Sequence, residues 1–273
     1  MAIPAGKAPI LESVSAAIGL WRAALPRVWP YALAGGLLIV GLDLASAGQP
    51  GAGLVLQLLS VAAMAFVYNL QLELALENAP RAWGARLASW ARLFAAMAII
   101  GFFLMLFFFV LLIPGMGILT NAAGVTPAQM EALGDDPAAM MQFAQTLVQE
   151  HWQVALALTI FYGAVWLLVT SRLYVAAPAS VAETRIRTFE TWPWTKDNML
   201  RICAMRIVLL GPILVVTWIL LTGLVSVLGA DQMREPGVAF VARGAMQVFS
   251  LLVASGLEAA LSAYLYKGLR PSQ

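Results

Sequence analysis

The sequence contains a single cysteine, Cys203, and a single histidine, His151. One cysteine cannot form a disulfide within the chain, so an internally cross-linked fold is excluded. Zinc, haem and non-haem iron sites usually draw on several histidine or cysteine ligands, and this chain has too few of either. We therefore expect no bound metal and no cofactor.

Charged residues are also scarce. They make up 11% of the chain, against about 25% in a typical soluble domain. Hydrophobic residues make up 62% of the 273 residues, which is too many for one water-soluble core, so lipid must be the solvent for much of the surface. The net charge of +2 is too small to indicate binding to nucleic acid. The composition predicts an all-α integral membrane protein.

The N-terminal segment, residues 1–27, lacks the uninterrupted apolar run of a cleavable signal peptide. Proline and charged residues interrupt it at Pro4, Pro9, Glu12, Arg22, Pro26 and Arg27. Within it, residues 10–25 place apolar side chains at three- and four-residue spacing, which is typical of an amphipathic helix. We predict that this helix lies at the membrane interface and ends at Pro26. The alternative is a frayed cytosolic tail.

Six apolar runs are long enough to cross a bilayer as helices. Spans 1–3 fall within residues 28–113, spans 4–6 fall within residues 152–266, and residues 267–273 form a short tail. The predicted spans cover roughly 28–47, 54–76, 93–113, 152–177, 202–228 and 243–266. The sequence therefore predicts a single membrane domain with six transmembrane helices.

The connection between the third and fourth spans, residues 114–151, is the longest polar segment. It contains no lysine or arginine. Two Xaa-Pro pairs in it have the residue types that begin helices, and they are Thr126-Pro127 and Asp136-Pro137. We predict an extracytoplasmic loop that contains two short helices.

Lysine and arginine are distributed unevenly among the connections. With six spans, both termini and the even-numbered connections lie on one side, together with 14 of the 16 basic residues. Arg234 and Arg243 lie on the other side. Because basic residues concentrate on the cytoplasmic side of membrane proteins, we predict that both termini are cytoplasmic.

The chain also divides into three similar units, each with a tryptophan-bearing amphipathic lead-in followed by a hairpin of two spans. The lead-ins are SAAIGLWRAALPRVW, APRAWGARLASWARL and RIRTFETWPWTKDNML. The alternative is that any multi-span chain alternates apolar helices with basic loops. Both interpretations give the same span count.

Three motifs carry a family resemblance. They are RLYVAAPASVAE at residues 172–183, TWPWTKDNMLRI at residues 191–202 and AYLYKGLR at residues 263–270. With them the chain resembles a group of six-span bacterial proteins that includes the YciC-like proteins and the membrane domain attached to some glycerophosphoryl diester phosphodiesterases. In those fused enzymes the catalytic part is a separate soluble barrel, and nothing in this chain corresponds to it. The resemblance implies the topology and leaves the function open.

Charged residues in or near the inner ends of the spans are the candidate functional groups. Glu73 and Glu258 lie in the second and sixth spans, and Arg172 and Arg206 flank the inner ends of the fourth and fifth. A charge inside a membrane costs about 2.5–3.5 kcal/mol on insertion scales, so each must find a partner. We predict that Glu258 pairs with Arg206 or Arg172. The four residues form either a polar cavity for an ion or a lipid headgroup, or structural ion pairs between helices.

Tryptophan residues lie beside the basic connections. Trp21, Trp83, Trp192 and Trp194 all fall on the predicted cytoplasmic side. An indole ring favours the headgroup region, where its N–H group stays hydrated while its apolar body is buried. We predict that these four residues anchor the protein at the cytoplasmic interface.

Motifs of enzymes are absent from the sequence, including nucleotide-binding glycine loops, GxSxG, HExxH and paired intramembrane aspartates. An intramembrane enzyme is the least favoured class, since no nucleophile and base can be identified. The sequence favours a non-enzymatic inner-membrane protein that binds or organises proteins or lipids. Its partners would be the bilayer, anionic lipid headgroups or another membrane protein. The alternative is a transporter or lipid-handling protein that uses the cluster of Glu73, Arg172, Arg206 and Glu258.

Overall fold

The protein is described from a computed structural model, which covers residues 8–48, 51–77, 82–126, 128–129, 131, 136–229 and 235–271. Helices follow one another along this part of the chain, and the predicted all-α fold is confirmed. The elements are α1 (Ile10–Gly48), α2 (Gly53–Ala75), α3 (Trp83–Ala122), α4 (Pro137–Glu150), α5 (Trp152–Arg172), α6 (Ala176–Ala182), a 3₁₀ helix (Phe189–Asn198), α7 (Met199–Leu228), α8 (Pro236–Phe249), a π-helical segment (Ser250–Ser255) and α9 (Gly256–Leu269).

Six helical stretches in the described part of the chain are long and apolar enough to cross a membrane. They are Ile10–Ser46, Gly53–Ala75, Trp83–Ala122, Trp152–Ala182, Phe189–Val227 and Gly237–Leu269. Each contains at least the roughly 20 residues that a helix needs to cross the hydrocarbon core. The predicted six-span, multi-pass architecture is therefore confirmed.

The predicted end of the first helix at Pro26 is wrong. α1 is one continuous helix of 39 residues that contains both Pro26 and Pro30. Proline removes one backbone donor, but packing against neighbouring helices lets a membrane helix continue through it. Here Val28 and Ala32 are buried in a cluster with Val67 of α2. The interfacial position of residues 10–25 remains a prediction.

The predicted end of the third span at Pro114 is also wrong. α3 runs from Trp83 to Ala122 without a break and contains Pro114. Residues 83–92, which precede the predicted third span, and the start of the predicted polar loop after it are therefore helical. α4 confirms the second short helix of that loop. The first, predicted to begin at Thr126, falls largely outside the described residues.

A tyrosine from α5 supports α3 close to its internal proline. The Tyr162 hydroxyl donates a hydrogen bond of 2.7 Å to the carbonyl oxygen of Leu111. Gly115 makes room for this contact, because a Cβ atom at that position would collide with the tyrosine ring and hydroxyl. The proline weakens the backbone ladder at this level of the helix, and the tyrosine adds a bond from outside it.

The fourth and sixth spans are each interrupted. The sequence predicts that the fourth span runs to residue 177, but α5 ends at Arg172 and a turn separates it from α6, which contains Pro178. In the sixth span, the π-helical segment separates α8 from α9. A π turn holds one residue more than an α turn, so the regular i→i−4 hydrogen-bond ladder is interrupted there.

Side chains from α1 and α2 provide hydrogen bonds to the π segment. Trp21 Nε1 donates to the carbonyl oxygen of Leu252 at 2.7 Å, and Gln71 Nε2 donates to that of Leu251 at 2.6 Å. The Ser255 hydroxyl in turn donates to Gln71 Oε1 at 2.7 Å. Lipid offers no hydrogen bonds, so these side chains stabilise an irregularity that would otherwise be costly.

The chain divides into two compact units. One combines Met1–Ala98 with Ser171–Gln273, and the other is Ile99–Thr170. The core of the first unit lies where α1, α2, α7 and α9 meet, and Leu72 and Leu261 are fully buried in it. Half of the apolar window of the sixth span is buried, compared with 6% of the corresponding windows of the fourth and fifth. The sixth span is therefore the central helix of the first unit.

Candidate functional site

Glu258 of α9 and Arg206 of α7 form an ion pair in the first unit. Arg206 Nη2 lies 3.2 Å from Glu258 Oε1, and the two side chains are only 13% and 23% exposed. Two opposite charges on neighbouring spans compensate each other where water is scarce. The structure thus contains the predicted pairing of Glu258 with an arginine.

Polar groups from the end of α5 and the turn after it surround this pair. The Tyr174 hydroxyl donates to the backbone carbonyl of Glu258 at 3.3 Å, and the Arg206 guanidinium lies 4.9 Å from the centre of the Tyr174 ring. Arg206 Nη1 also donates to the Ser171 hydroxyl at 3.2 Å. Cys203 Sγ donates to the same hydroxyl at 3.3 Å. The arrangement ties the fourth, fifth and sixth spans together at one level.

Glu73 belongs to a different network. Its carboxylate accepts hydrogen bonds from Asn69 Nδ2 at 2.7 Å and from Arg86 Nε at 3.1 Å. The Ser89 hydroxyl donates to Asn69 Oδ1 at 3.0 Å, which extends the network along α3. Glu73, Asn69 and Ser89 are all buried. This network joins α2 to the first turns of α3.

Arg172 is placed in a third environment. Its guanidinium carbon lies 4.9 Å from the centre of the Trp192 ring, in a cation–π contact. Its backbone carbonyl accepts a hydrogen bond of 2.7 Å from the Thr195 hydroxyl. The structure therefore brings together two of the four cluster candidates, Arg206 and Glu258, and places Glu73 and Arg172 with other partners.

The four predicted anchor tryptophans differ in their surroundings. Trp83 is exposed, whereas Trp192 and Trp194 are partly buried beneath arginine side chains. Trp21 is also partly buried, and its N–H group donates a hydrogen bond to a carbonyl of the π segment. The indole approaches closely because Gly256 has no side chain, since a Cβ atom there would lie 2.8 Å from the Trp21 ring. The depth of all four residues in the bilayer remains a prediction.

A cleft of about 950 Å³ lies between the turn after α6 and the end of α9. We call it the basic cleft. It is lined by Ala182, Glu183, Thr184, Arg185, Arg187, Trp194, Tyr266, Lys267, Arg270 and Pro271. Four of these side chains are cationic, one is a carboxylate and two are large aromatic rings. The volume is in the range of sites that bind small organic ligands.

Arg187 organises one wall of the basic cleft. Its guanidinium donates two hydrogen bonds to Glu183 Oε2, at 2.6 and 2.9 Å, and a further one to Glu190. Desolvation lowers the pKa of Arg187, but the bonds to Glu190 and Glu183 outweigh it, so the pKa lies above its ordinary value. Its backbone N–H and carbonyl both bond to the buried Ser180 hydroxyl, at 2.9 Å each. The charge of Arg187 is therefore largely neutralised within the wall.

The other three cations are held more loosely. Arg185 is 60% exposed, and its Nε lies 3.7 Å from a Glu183 oxygen that Arg187 already occupies. Lys267 Nζ donates to the carbonyl of Ala75 at 3.2 Å and lies 3.8 Å from Glu77, which is 79% exposed. The Arg270 guanidinium lies 5.8 Å from the centre of the Tyr266 ring. Against the three carboxylates Glu183, Glu190 and Glu77, the four cations leave the basic cleft with an excess of one positive charge.

The chain reverses its direction at Thr184, and this turn forms one side of the cleft. The φ angle of Thr184 is +54°, in the left-handed region that a β-branched residue rarely adopts. Such a conformation costs of order 1–3 kcal/mol and persists only where surrounding contacts hold it. The ion pairs of Glu183 on one side and Arg187 on the other supply those contacts.

The basic cleft is not among the sites that the sequence predicts. Its two basic segments are RIR, at the start of the third lead-in, and KGLR, at the end of the motif AYLYKGLR, and about 80 residues separate them. The signal that could have joined them is their position, because both follow the predicted inner end of a span. Within the described ranges, no three histidine, cysteine, aspartate or glutamate side chains gather as a metal site would require.

The fold and these sites define a multi-pass α-helical membrane protein. Comparisons of the chain with protein-family models, curated proteins and solved structures give no match. Function must therefore be argued from the geometry of the chain itself.

Proposed function

We propose that this protein is a non-enzymatic bacterial inner-membrane protein that binds the anionic headgroup of a lipid in its basic cleft. The observation that carries the proposal is the excess of cations in that cleft, contributed by Arg185, Lys267 and Arg270. Arginine and lysine form strong charge-assisted hydrogen bonds with phosphate oxygens. The partly buried Trp194 ring offers an apolar surface to the rest of the ligand.

The distribution of basic residues supports a cytoplasmic position for the cleft. All four cations of the cleft belong to the 14 basic residues on one side of the six spans. The positive-inside tendency assigns that side, and both termini with it, to the cytoplasm. The anionic lipids of the inner leaflet would then lie beside the cleft. We also propose that the chain is related to the six-span YciC-like group, and this relation bears only on its topology.

Transport through the predicted inner cluster has weaker support. That alternative requires four converging charged groups, and the contacts of Glu73 and Arg172 lie elsewhere. The Arg206–Glu258 pair fits a structural lock between spans better, because each charge already has its partner. Binding of a partner protein would require a specific docking surface, and no contact within the described residues indicates one.

The test compares two triple variants with the wild-type protein. The first removes three cations of the cleft, Arg185→Gln, Lys267→Gln and Arg270→Gln. The matched control removes three exposed cations from the same predicted side, Arg22→Gln, Arg27→Gln and Lys196→Gln. Each protein is reconstituted with anionic lipid, purified, and examined by native mass spectrometry for retained lipid. Melting curves check that both variants are folded.

We expect the cleft variant to bind anionic lipid at least about tenfold more weakly, since each lost bond is charge-assisted. The control should differ from the wild type by less than about twofold, because exposed charges on a surface contribute little. Equal losses in both variants would mean that surface charge alone attracts the lipid. The proposed function would then be rejected.

A further inference from the structure

We infer that residues 184–189, which we call the reversal segment, insert the side chains of Ile186 and Phe189 into the lipid leaflet on their side of the membrane. The partner of this surface is the apolar layer of the bilayer itself. Thr184 and Arg185 line the basic cleft, so the insertion sets the cleft at the depth of the lipid headgroups. Insertion of the reversal segment does not require a ligand in the cleft.

Burial in the reversal segment is inverted. Arg187 is 9% exposed, whereas its neighbour Ile186 is 44% exposed and Phe189 is 39% exposed. In a segment surrounded by water the opposite is expected, because arginine is seldom buried and large apolar side chains usually are. Two exposed apolar side chains beside a buried arginine therefore indicate that the outer side of this segment faces an apolar medium.

The contacts of Arg187 fix this orientation. Its guanidinium donates hydrogen bonds to Glu183 and Glu190. Its backbone N–H and carbonyl both bond to the buried Ser180 hydroxyl. Because both the backbone and the side chain are bonded on the inner side, the segment cannot turn over about its own axis. Ile186 is consequently held on the outer side.

The depth of the reversal segment follows from the end of α5. This helix has 21 residues. At 1.5 Å per residue it is about 31 Å long, which matches a hydrocarbon core of about 30 Å. The carbonyl of its last residue, Arg172, accepts a hydrogen bond of 2.7 Å from the Thr195 hydroxyl. Thr195 belongs to the 3₁₀ helix that begins at Phe189, so this helix lies near the boundary between hydrocarbon and headgroups.

The surface that follows in the chain faces lipid as well. Phe189 begins the fifth helical stretch that is able to cross a membrane, Phe189–Val227. Within it, the exposed residues Leu200, Ile207 and Leu214 recur every seven residues, so they lie on one face of α7. In a six-span protein such a face contacts acyl chains. This continuity favours lipid over a partner protein as the medium that covers Ile186 and Phe189.

Charge does not drive the insertion. Residues 183–197 contain three cations and three carboxylates, which are Arg185, Arg187, Lys196, Glu183, Glu190 and Asp197. They therefore carry no net charge. Arg185 is 60% exposed, and its long side chain can reach the phosphate layer while the neighbouring Ile186 is buried in lipid. Insertion should therefore occur in zwitterionic and anionic bilayers alike.

The experiment measures the depth of single probes in nanodiscs that hold one protein each. Cysteines are introduced in a Cys203→Ala background as Ile186→Cys and Phe189→Cys. Asp197→Cys is the control, because it replaces an exposed residue a short distance along the chain. Each cysteine carries a fluorophore, and quenching by a lipid that is spin-labelled high on its acyl chain is compared with quenching by a water-soluble paramagnetic ion. The bilayer is zwitterionic, with or without anionic lipid, and melting curves check that each labelled protein is folded.

A second measurement tests whether the two apolar side chains hold the segment in the leaflet. A probe at Arg185→Cys is compared before and after Ile186→Gln and Phe189→Gln are added. Leu11→Gln, which changes an exposed leucine of α1, is the matched control. All replaced side chains are partly or largely exposed, so the fold should be retained.

We expect the probes at positions 186 and 189 to be quenched at least about threefold more by the lipid quencher than by the soluble one, and the probe at position 197 to show the reverse. The two lipid compositions should give the same ratio. Adding Ile186→Gln and Phe189→Gln should increase soluble quenching at position 185 at least about twofold, whereas Leu11→Gln should leave it unchanged.

Three results would overturn the insertion. Soluble quenching at positions 186 and 189 that equals quenching at position 197 would mean that the surface faces water and is open to a partner protein. Lipid quenching that appears only with anionic lipid would mean that charge makes the contact. Protection from both quenchers would place the two side chains against protein. Retention of lipid by the cleft is measured separately by the triple variants, so the proposed function can stand or fail independently of the insertion.

Discussion

The Tyr266 hydroxyl donates a hydrogen bond of 3.1 Å to Glu183 Oε1, across 83 residues of sequence. This bond joins the last turns of α9 to the reversal after α6. Because Glu183 also holds Arg187, the same carboxylate fixes both walls of the basic cleft. The shape of the cleft therefore depends on the hydroxyl group of Tyr266 as well as on Glu183.

Replacing that tyrosine should loosen the cleft without removing any of its charge. Tyr266→Phe loses one hydrogen bond, and we expect the free energy of unfolding to fall by about 1 kcal/mol. Amide hydrogen exchange should become faster at residues 183–190, while the rest of the chain stays unchanged. Tyr264→Phe, two residues away on the same helix, is the matched control. Unchanged exchange at residues 183–190 would show that the bond does not hold the walls together.

The Arg206–Glu258 pair should behave as a structural lock. Glu258→Gln leaves the partly buried charge of Arg206 without its counter-ion, so we expect a loss of about 1–3 kcal/mol in stability. Adding Arg206→Met removes the uncompensated charge and should recover part of that loss. Thermal denaturation in detergent measures both effects. A single variant that is as stable as the wild type but has lost a bound lipid or an ion flux would identify the pair as a binding site.

The π segment should depend on its side-chain donor from α2. Gln71→Leu removes the bond to the carbonyl of Leu251 and the acceptor of Ser255, and we expect a loss of about 1–3 kcal/mol. Gln57→Leu changes an exposed glutamine of the same helix and should have little effect. Unfolding of both variants is followed by tryptophan fluorescence. Equal stability of the two would mean that the segment does not need Gln71.

The topology can be tested by cysteine accessibility in a Cys203→Ala background. A cysteine placed at position 190 should not react with a membrane-impermeant reagent added outside the cell, and one placed at position 135 should react. The reason is the concentration of basic residues on the side that carries position 190. Labelling at position 190 from outside would reverse the orientation and place the basic cleft outside the cytoplasm.

The depth of the tryptophans is a separate prediction. Trp83, Trp192 and Trp194 should be quenched most strongly by lipids that carry the quencher near the headgroup, since indole favours the interface. Each is measured in a variant in which the other tryptophans are Phe. Maximal quenching at the bilayer centre would reject the interfacial placement.

The span count and the pairing of Glu258 could be predicted from the sequence for one physical reason. In lipid, a long apolar run has few alternatives to a helix, and an isolated charge must find its opposite. Helix ends were harder to predict. Pro26 and Pro114 both lie within helices, because tertiary packing near Val28 and the bond from Tyr162 compensate for what proline removes.

The π segment and the basic cleft could not be predicted, because both depend on partners distant in the sequence. The donors to the π segment lie 231 and 180 residues away, at Trp21 and Gln71. Nothing in the local sequence Ser250–Ser255 marks the extra residue. The cleft likewise requires Arg185 and Arg270 to meet, and each alone is an ordinary basic residue after a span.

The extra residue of the π segment also determines which way the inner half of the sixth span faces. One residue of an α-helix corresponds to a rotation of about 100° about the axis. Without the insertion, α9 would be turned by that angle relative to α8, and Glu258 would no longer face Arg206. Tyr266, two turns further on, would leave Glu183 by the same rotation. By stabilising the π segment, Trp21 and Gln71 therefore keep both Glu258 facing Arg206 and Tyr266 facing Glu183.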